Sequence, residues 1–240
     1  MPDRPLEDKY ALLPVLLEGA EKTFSNAEQL FREAQILAEA GAVARSLCLH
    51  QISLEECSKV DSLGAWATSL VLDFAVDQKM VLAALSRHSS KNKLNAYMLD
   101  VSDAEADARE SGDWKAAADL FRRSQDEFHT MSNLAKNRSL YVDWDDGRFV
   151  APDERITKEN MVETRDLNAT FLSYAFNNLK ALRRLAEAPH AMKQPMKELI
   201  DRLEALREKA PADMLDQADA VLSRFIEQGK EIAGEAKSAG

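Results

Sequence analysis

Two groups of side chains have the types and spacing to do chemistry. The first lies in "LSRHSSKNKLNAYM", residues 85–98. If the preceding helix continues here, His88, Lys91, Asn92 and Asn95 share one face, with Arg87 beside them. A histidine between cations has its pKa lowered by like charge and stays neutral and basic near pH 7. Cations for phosphate, amides for bases or sugar, and an imidazole for proton transfer form a reasonable RNA-cleaving set. The same residues also suit a solvated helix end, where positive charge complements the helix dipole.

The second group lies in "ARSLCLHQISLEECSKV", residues 44–60. At about 100° per residue, Arg45, Leu49, Ile52, Glu56, Lys59 and Leu63 fall in one stripe, and His50, Leu47, Leu54 and Cys57 lie opposite. Both sides are mostly apolar, which predicts a central helix packed on two faces. Charges there are costly unless paired. Glu56 lies between the two cations of the stripe, and Glu55 stands at the i,i+4 spacing to Lys59. Two readings fit: a salt-bridge network that fixes helix packing, or the wall of a site where ionisable groups gather.

Other chemistries lack their residues. There is no HExxH, no Cys/His set at ligand spacing, no phosphate-binding loop, no GxSxG and no dinucleotide glycine pattern, so neither metal nor cofactor is expected. The four histidines are His50, His88, His129 and His190, the last beside Pro189 in a short linker. Cys48 and Cys57 are nine apart on one helix and point to opposite sides, so they are free thiols suited to a reducing compartment.

The elements that must position these groups are helical. The chain has 240 residues, 45% hydrophobic, with only 8 Gly and 7 Pro. That composition supports a large core and an α-rich fold. The formal net charge of -10 disfavours nonspecific nucleic-acid binding unless a local basic patch exists. The charged start "MPDRPLEDKY" has no signal-peptide core, and no apolar run is long enough to span a bilayer, so a cytoplasmic protein with no membrane partner is expected.

A short helix is expected over residues 10–21. Ser25 and Glu28, in capping-box spacing, open the next, which stops at Gly41. The quoted helix follows, ending near Gly64, and a third begins by Trp66, runs through His88 and, with a bend at Ser89-Ser90, continues to about Met98. Ser102 and Asp113 cap two further helices. "SLYVDWDDGRFVAPDERIT" reads as a β-hairpin turning at Asp146-Gly147 and lying on the helical body. Its aromatics Tyr141, Trp144 and Phe149 either cover the core or contact a partner. Thr157 caps a long helix that stops at Pro189, and helices follow Pro195 and Pro211. The domain reading is a bundle over residues 1–188 and a C-terminal helical extension over 189–240.

Three segments resemble AbiV-type abortive infection proteins. "NAEQLFREAQILAEAGAVARSLCLHQISLEECSK" is similar to the family's opening, with its Glu-Glu-x-x-Lys ending at Glu55, Glu56 and Lys59. "RHSSKNKL" resembles its His-x-x-Lys element at His88 and Lys91, and "SLYVDWDDGRFVAP" its Tyr-Val-Asp-aromatic segment. The resemblance covers about residues 25–155. It implies the HEPN superfamily: an all-α bundle, here with a small hairpin insertion, often a homodimer and often a metal-independent RNase acting in phage defence. Many members carry Arg, four to six residues, then His. Arg45 to His50 fits that spacing, as does Arg122 or Arg123 to His129, whereas His88 has no Arg at that distance upstream.

The expected function is therefore an anti-phage abortive infection protein that cleaves RNA without metal. His88, Lys91, Glu56 and Lys59 would be catalytic. Arg87, Arg45, Asn92 and Asn95 would bind phosphate or RNA, and Glu55 and Tyr141 would support them. The alternative is a non-catalytic helical module that binds a phage or host protein. A homodimer, RNA and a phage protein trigger are the partners expected.

Overall fold

The computed structural model describes residues 10–86 and 101–206. A 3-10 turn at Tyr10–Leu12 leads into α1, Leu13–Glu39. This is one helix, not two. Leu13, Leu16, Ala20, Phe24, Ala27 and Ala34 form a continuous buried stripe through the expected break, and Ser25 stays exposed on the far side. Burial of that stripe outweighs the local preference of Ser25 to cap. The helix ends at Gly41, whose φ of 80° is easy only for glycine. Its N–H donates to Ala38 O at 3.0 Å and that of Ala42 donates to Leu37 O at 2.8 Å, a Schellman closure.

α2, Val43–Val71, is the central helix, packed against α1 on one side and α7 on the other. It does not stop at Gly64. Leu63, Trp66, Ala67 and Val71 carry its buried surface onward, and the chain turns only at Leu72 and Asp73, where φ is 63°. The expected helix from Trp66 is therefore the end of α2 followed by a separate α3, Gln78–Ser86.

Beyond it, α4 spans Asp103–Glu110 and α5 spans Trp114–Arg138. The Ser102 and Asp113 caps form as expected, accepting from the N–H of Glu105 and of Ala116. Strands β1, Asp143–Asp145, and β2, Arg148–Val150, pair antiparallel. Asp146 and Gly147, at φ 44° and 82°, give the two-residue type I′ turn that this pair favours. A short α6, Pro152–Arg155, precedes α7, Lys158–Glu187. Thr157 and Asn160 cap α7 reciprocally.

α8 spans Pro189–Leu206 and contains Pro195. It starts six residues earlier than expected, because Met192 is buried in the main core and Met196 packs against that core. The region after Pro211 lies outside the described residues. The main core joins α1, α2 and α7, with Leu54, Val60, Phe171 and Leu179 among its fully enclosed members. The chain is an all-α bundle, with one small hairpin among the described residues. No helix of the described residues is long and apolar enough to cross a membrane.

Candidate functional site

The charges of α2 divide between its two faces. Glu56 pairs with Lys59 one turn on, and its other oxygen accepts from the Asn26 amide of α1 at 3.2 Å. Both partners are largely covered, with side-chain exposures of 13% and 24%. Glu55 points the other way. Instead of meeting Lys59 it accepts from Lys136 Nζ of α5 at 2.6 Å, with Glu55 buried and Lys136 largely covered. Both spacings to Lys59 are permitted on a helix, and it is the approach of Lys136 from α5 that draws Glu55 away.

Arg45 does not join them. It shares the angular stripe but lies eleven residues from Glu56, about 16 Å along the axis. It is exposed and takes part in none of the ion pairs among the described residues. Beside the Glu55–Lys136 pair lies Cys48, whose thiol is pushed up by burial while Ser139 and Lys136 oppose the shift. Cys57 is pushed up further by burial, so both thiols are held protonated and unreactive. Tyr141 is exposed at the approach to β1. Arg87, His88, Lys91, Asn92 and Asn95 lie outside the described residues.

His50 is fully buried. Its Nδ1 lies 3.2 Å from Asn168 Nδ2 of α7 and its ring meets Phe31 edge-on at 4.9 Å. Ser53 Oγ lies 2.8 Å from Ala27 O and 3.1 Å from Asn168 Oδ1. The hydroxyl has one proton and cannot donate to both acceptors. Turning the amide over resolves this: Asn168 then donates to Ser53, Ser53 donates to Ala27 O, and His50 Nδ1–H donates to the amide oxygen. The network ties α1, α2 and α7 together. Burial lowers the His50 pKa to about 4, with Arg165 adding to the shift, so the ring stays neutral. Arg45 and His50 point about 140° apart on the helix. A substrate cannot reach both.

The other Arg–His spacing lies on α5. Arg122 and His129 are seven residues apart, two turns, and face the same way within about 20°. Asn133 follows one turn later, with its amide nitrogen 3.2 Å from His129 Nε2. The imidazole is partly exposed and both Arg122 and Arg123 are exposed. Among the described residues Arg122 pairs with Asp119 at 3.1 Å, a surface pair of little cost to exchange for a phosphate. The spacing also recurs from Arg183 or Arg184 to His190. That pair spans the break at Ala188 between α7 and α8, and His190 stacks edge-on to Tyr10 at 4.9 Å.

A cavity of about 820 Å³ opens between α2, α7 and α8. Met192, Met196, Leu199 and Ile200 form its α8 wall, and Asp61 and Gly64 belong to its α2 wall. The Asn178 amide donates to Asp61 Oδ1 at 2.6 Å, yet burial dominates and raises the Asp61 pKa to about 6. Sequence reasoning missed Asp61, Lys136 and Asn168. Their partners lie 117, 81 and 118 residues away, and no periodicity on a single helix reports such pairs. Among the described residues no group of three His, Cys, Asp or Glu side chains could hold a metal ion.

Comparison with known proteins supplies what the geometry lacks. A protein of Sinorhizobium fredii (strain NBRC 101917 / NGR234), named "Uncharacterized protein y4gJ", is 52% identical over 109 residues. That alignment covers 45% of this chain and 57% of the relative, so the chain spans little more than half of that protein's length. No solved structure matches. The model of the HEPN family described as AbiV matches residues 15–173, from the start of α1 into α7 and through the hairpin. The match takes in more than half of the chain, which therefore belongs to the AbiV family of the HEPN superfamily.

Proposed function

We propose that this chain is an abortive infection effector that limits phage growth by cleaving RNA without a metal. The observation that carries the reading is the single face of α5 bearing Arg122, His129 and Asn133. It joins the Arg–His spacing typical of the superfamily to an accessible imidazole. In this reading the His129 imidazole takes the 2′-OH proton of a nucleotide. The 2′ oxygen attacks phosphorus, and the P–O5′ bond breaks. Arg122 or Arg123 stabilises the charge gathered on the phosphorane oxygens. The products are a 2′,3′-cyclic phosphate and a 5′-hydroxyl. The 5′ oxygen needs a proton as it leaves, and one histidine cannot be base and acid at once. A homodimer that brings two α5 faces to one cleft supplies the second imidazole, and concentrates cations locally on an acidic chain.

Glu56, Lys59 and Glu55 have a bracing part in this account. Each is already engaged across or along the helices, and together they fix α2 against α1 and α5. His88 with Lys91 and Arg87 is the other candidate for the reacting group, with Asn92 and Asn95 on the RNA. An RNA-cleavage assay in EDTA separates the two. His129→Ala and Arg122→Ala are each expected to slow cleavage by at least about 100-fold, with His88→Ala near the wild-type rate. The reverse pattern moves the site to His88. No cleavage by the wild-type protein removes the nuclease reading.

A further inference from the structure

The hairpin was expected either to cover the core or to touch a partner, and its two faces separate these roles. Along each strand successive side chains point to opposite sides. The inner face carries Asp143, paired in register with Val150, and Asp145, paired with Arg148. Val150 is 4% exposed. Arg155, itself 10% exposed, reaches both Asp145 at 3.2 Å and Asp143 at 3.5 Å, and its helix α6 rests on α2. The hairpin is thus clamped to the body through its inner face.

The outer face carries the cross-strand partners Trp144 and Phe149. Their rings meet edge to face at 5.1 Å, yet they are 64% and 69% exposed. Tyr141 and Val142, just before β1, are each 59% exposed. These aromatics leave on the order of 400 Å² of ring surface in solvent, about the largest patch an ordinary monomer shows. The rings are rigid and pre-organised by the hairpin, so little conformational entropy is lost when they are covered. Nothing in the core requires them.

Charge decides what covers them. Between residues 143 and 155 there are five acidic and two basic side chains. Both bases are committed, Arg155 to Asp143 and Asp145 and Arg148 to Glu154 at 2.9 Å. Asp146 and Asp153 are exposed and belong to none of the ion pairs among the described residues. A second copy of the hairpin would bring these carboxylates together, and RNA would meet them with phosphate. A cationic segment satisfies both features, its guanidinium or ammonium groups meeting the carboxylates and the ring faces.

We propose that the outer face of the hairpin is a docking surface for a basic segment of another protein, with Trp144 and Phe149 as its anchors. This surface is independent of the RNA-cleaving reading, because none of its residues serves the α5 face.

The test is selection of a displayed random 12-residue peptide library on the full chain. Enriched peptides are then synthesised and titrated against wild type, Trp144→Ser/Phe149→Ser and Asp146→Lys/Asp153→Lys. Net-positive peptides are expected to be enriched. Both variants should weaken them by at least tenfold while melting as the wild type does, since all four side chains are exposed. Raising salt from 50 to 300 mM should weaken binding further. Three results overturn the proposal: enrichment without positive charge, equal binding to the Trp144→Ser/Phe149→Ser variant, or sedimentation showing a wild-type dimer that this variant abolishes. A dodecauridine oligomer competing for the same face overturns it as well.

Discussion

Asp61 carries an electrostatic cost that one substitution removes. Its pKa is raised to about 6 from a normal 3.8, chiefly by burial. The folded state therefore holds this proton more tightly than the unfolded chain, and the stabilisation is complete below pH 3.8 and lost as pH rises through 6. At pH 7.5 this partly buried carboxylate is a net burden of about 3 kcal/mol at most. Asp61→Asn keeps an oxygen for the Asn178 amide and should raise the melting temperature at pH 7.5 but not at pH 4. Equal melting of the two proteins at pH 7.5 would contradict this. His50 titrates with the opposite sign and loses stability as pH falls from 6.5 toward 4, so the comparison must be made within the variant pair. The Glu55–Lys136 pair behaves differently. Lys136→Met removes one cationic partner of a buried carboxylate and should be destabilising, whereas adding Glu55→Gln should restore part of that loss. Additive losses in denaturant unfolding would show that the two residues do not interact. The acidic character of Glu55 was legible in the sequence, but its partner was not. Likewise, the wheel aligned Arg45 with Glu56 and could not register the three turns between them.

At the scale of elements, the sequence was most informative where the cause is local. The caps at Ser102, Asp113 and Thr157, the stop at Gly41 and the turn at Asp146-Gly147 depend on a few adjacent residues, and all form as read. Ser25, Gly64 and Pro195 also carry local signals, but long-range burial overrides each one. At Ser25 the buried stripe of α1 is unbroken. At Gly64 the burial of Trp66 and Val71 holds α2 together. At Pro195 the contacts of Met192 and Met196 keep α8 helical. Gly64 gives a direct measure of this override. It lies inside α2, and a Cβ built there meets nothing within 4 Å. Gly64→Ala should therefore stabilise the protein by about 0.5–1 kcal/mol, the ordinary helix-interior difference between these residues. A loss of stability in urea unfolding would mean that the position needs glycine for a reason other than backbone freedom.

For the whole molecule, three long helices build a core, and the largely covered Glu55–Lys136 pair ties α5 to α2. In the RNA-cleaving reading, this pair and the packing of α4 on α5 together hold the Arg122–His129 face in place. The bundle class and the family were legible because periodicity and short motifs carry them. Which histidine is accessible was less so, because accessibility is a property of the folded bundle. His50 satisfies the same spacing as His129, but burial removes it from contact with any substrate. The account therefore stands on RNA chemistry at an accessible imidazole, and the ends of the cleaved RNA report on that chemistry most directly. Mass spectrometry of RNA fragments produced by the wild-type protein in EDTA should show 2′,3′-cyclic phosphate and 5′-hydroxyl ends, absent with His129→Ala. Fragments ending in 3′-hydroxyl, or cyclic-phosphate ends produced equally by His129→Ala, would contradict it.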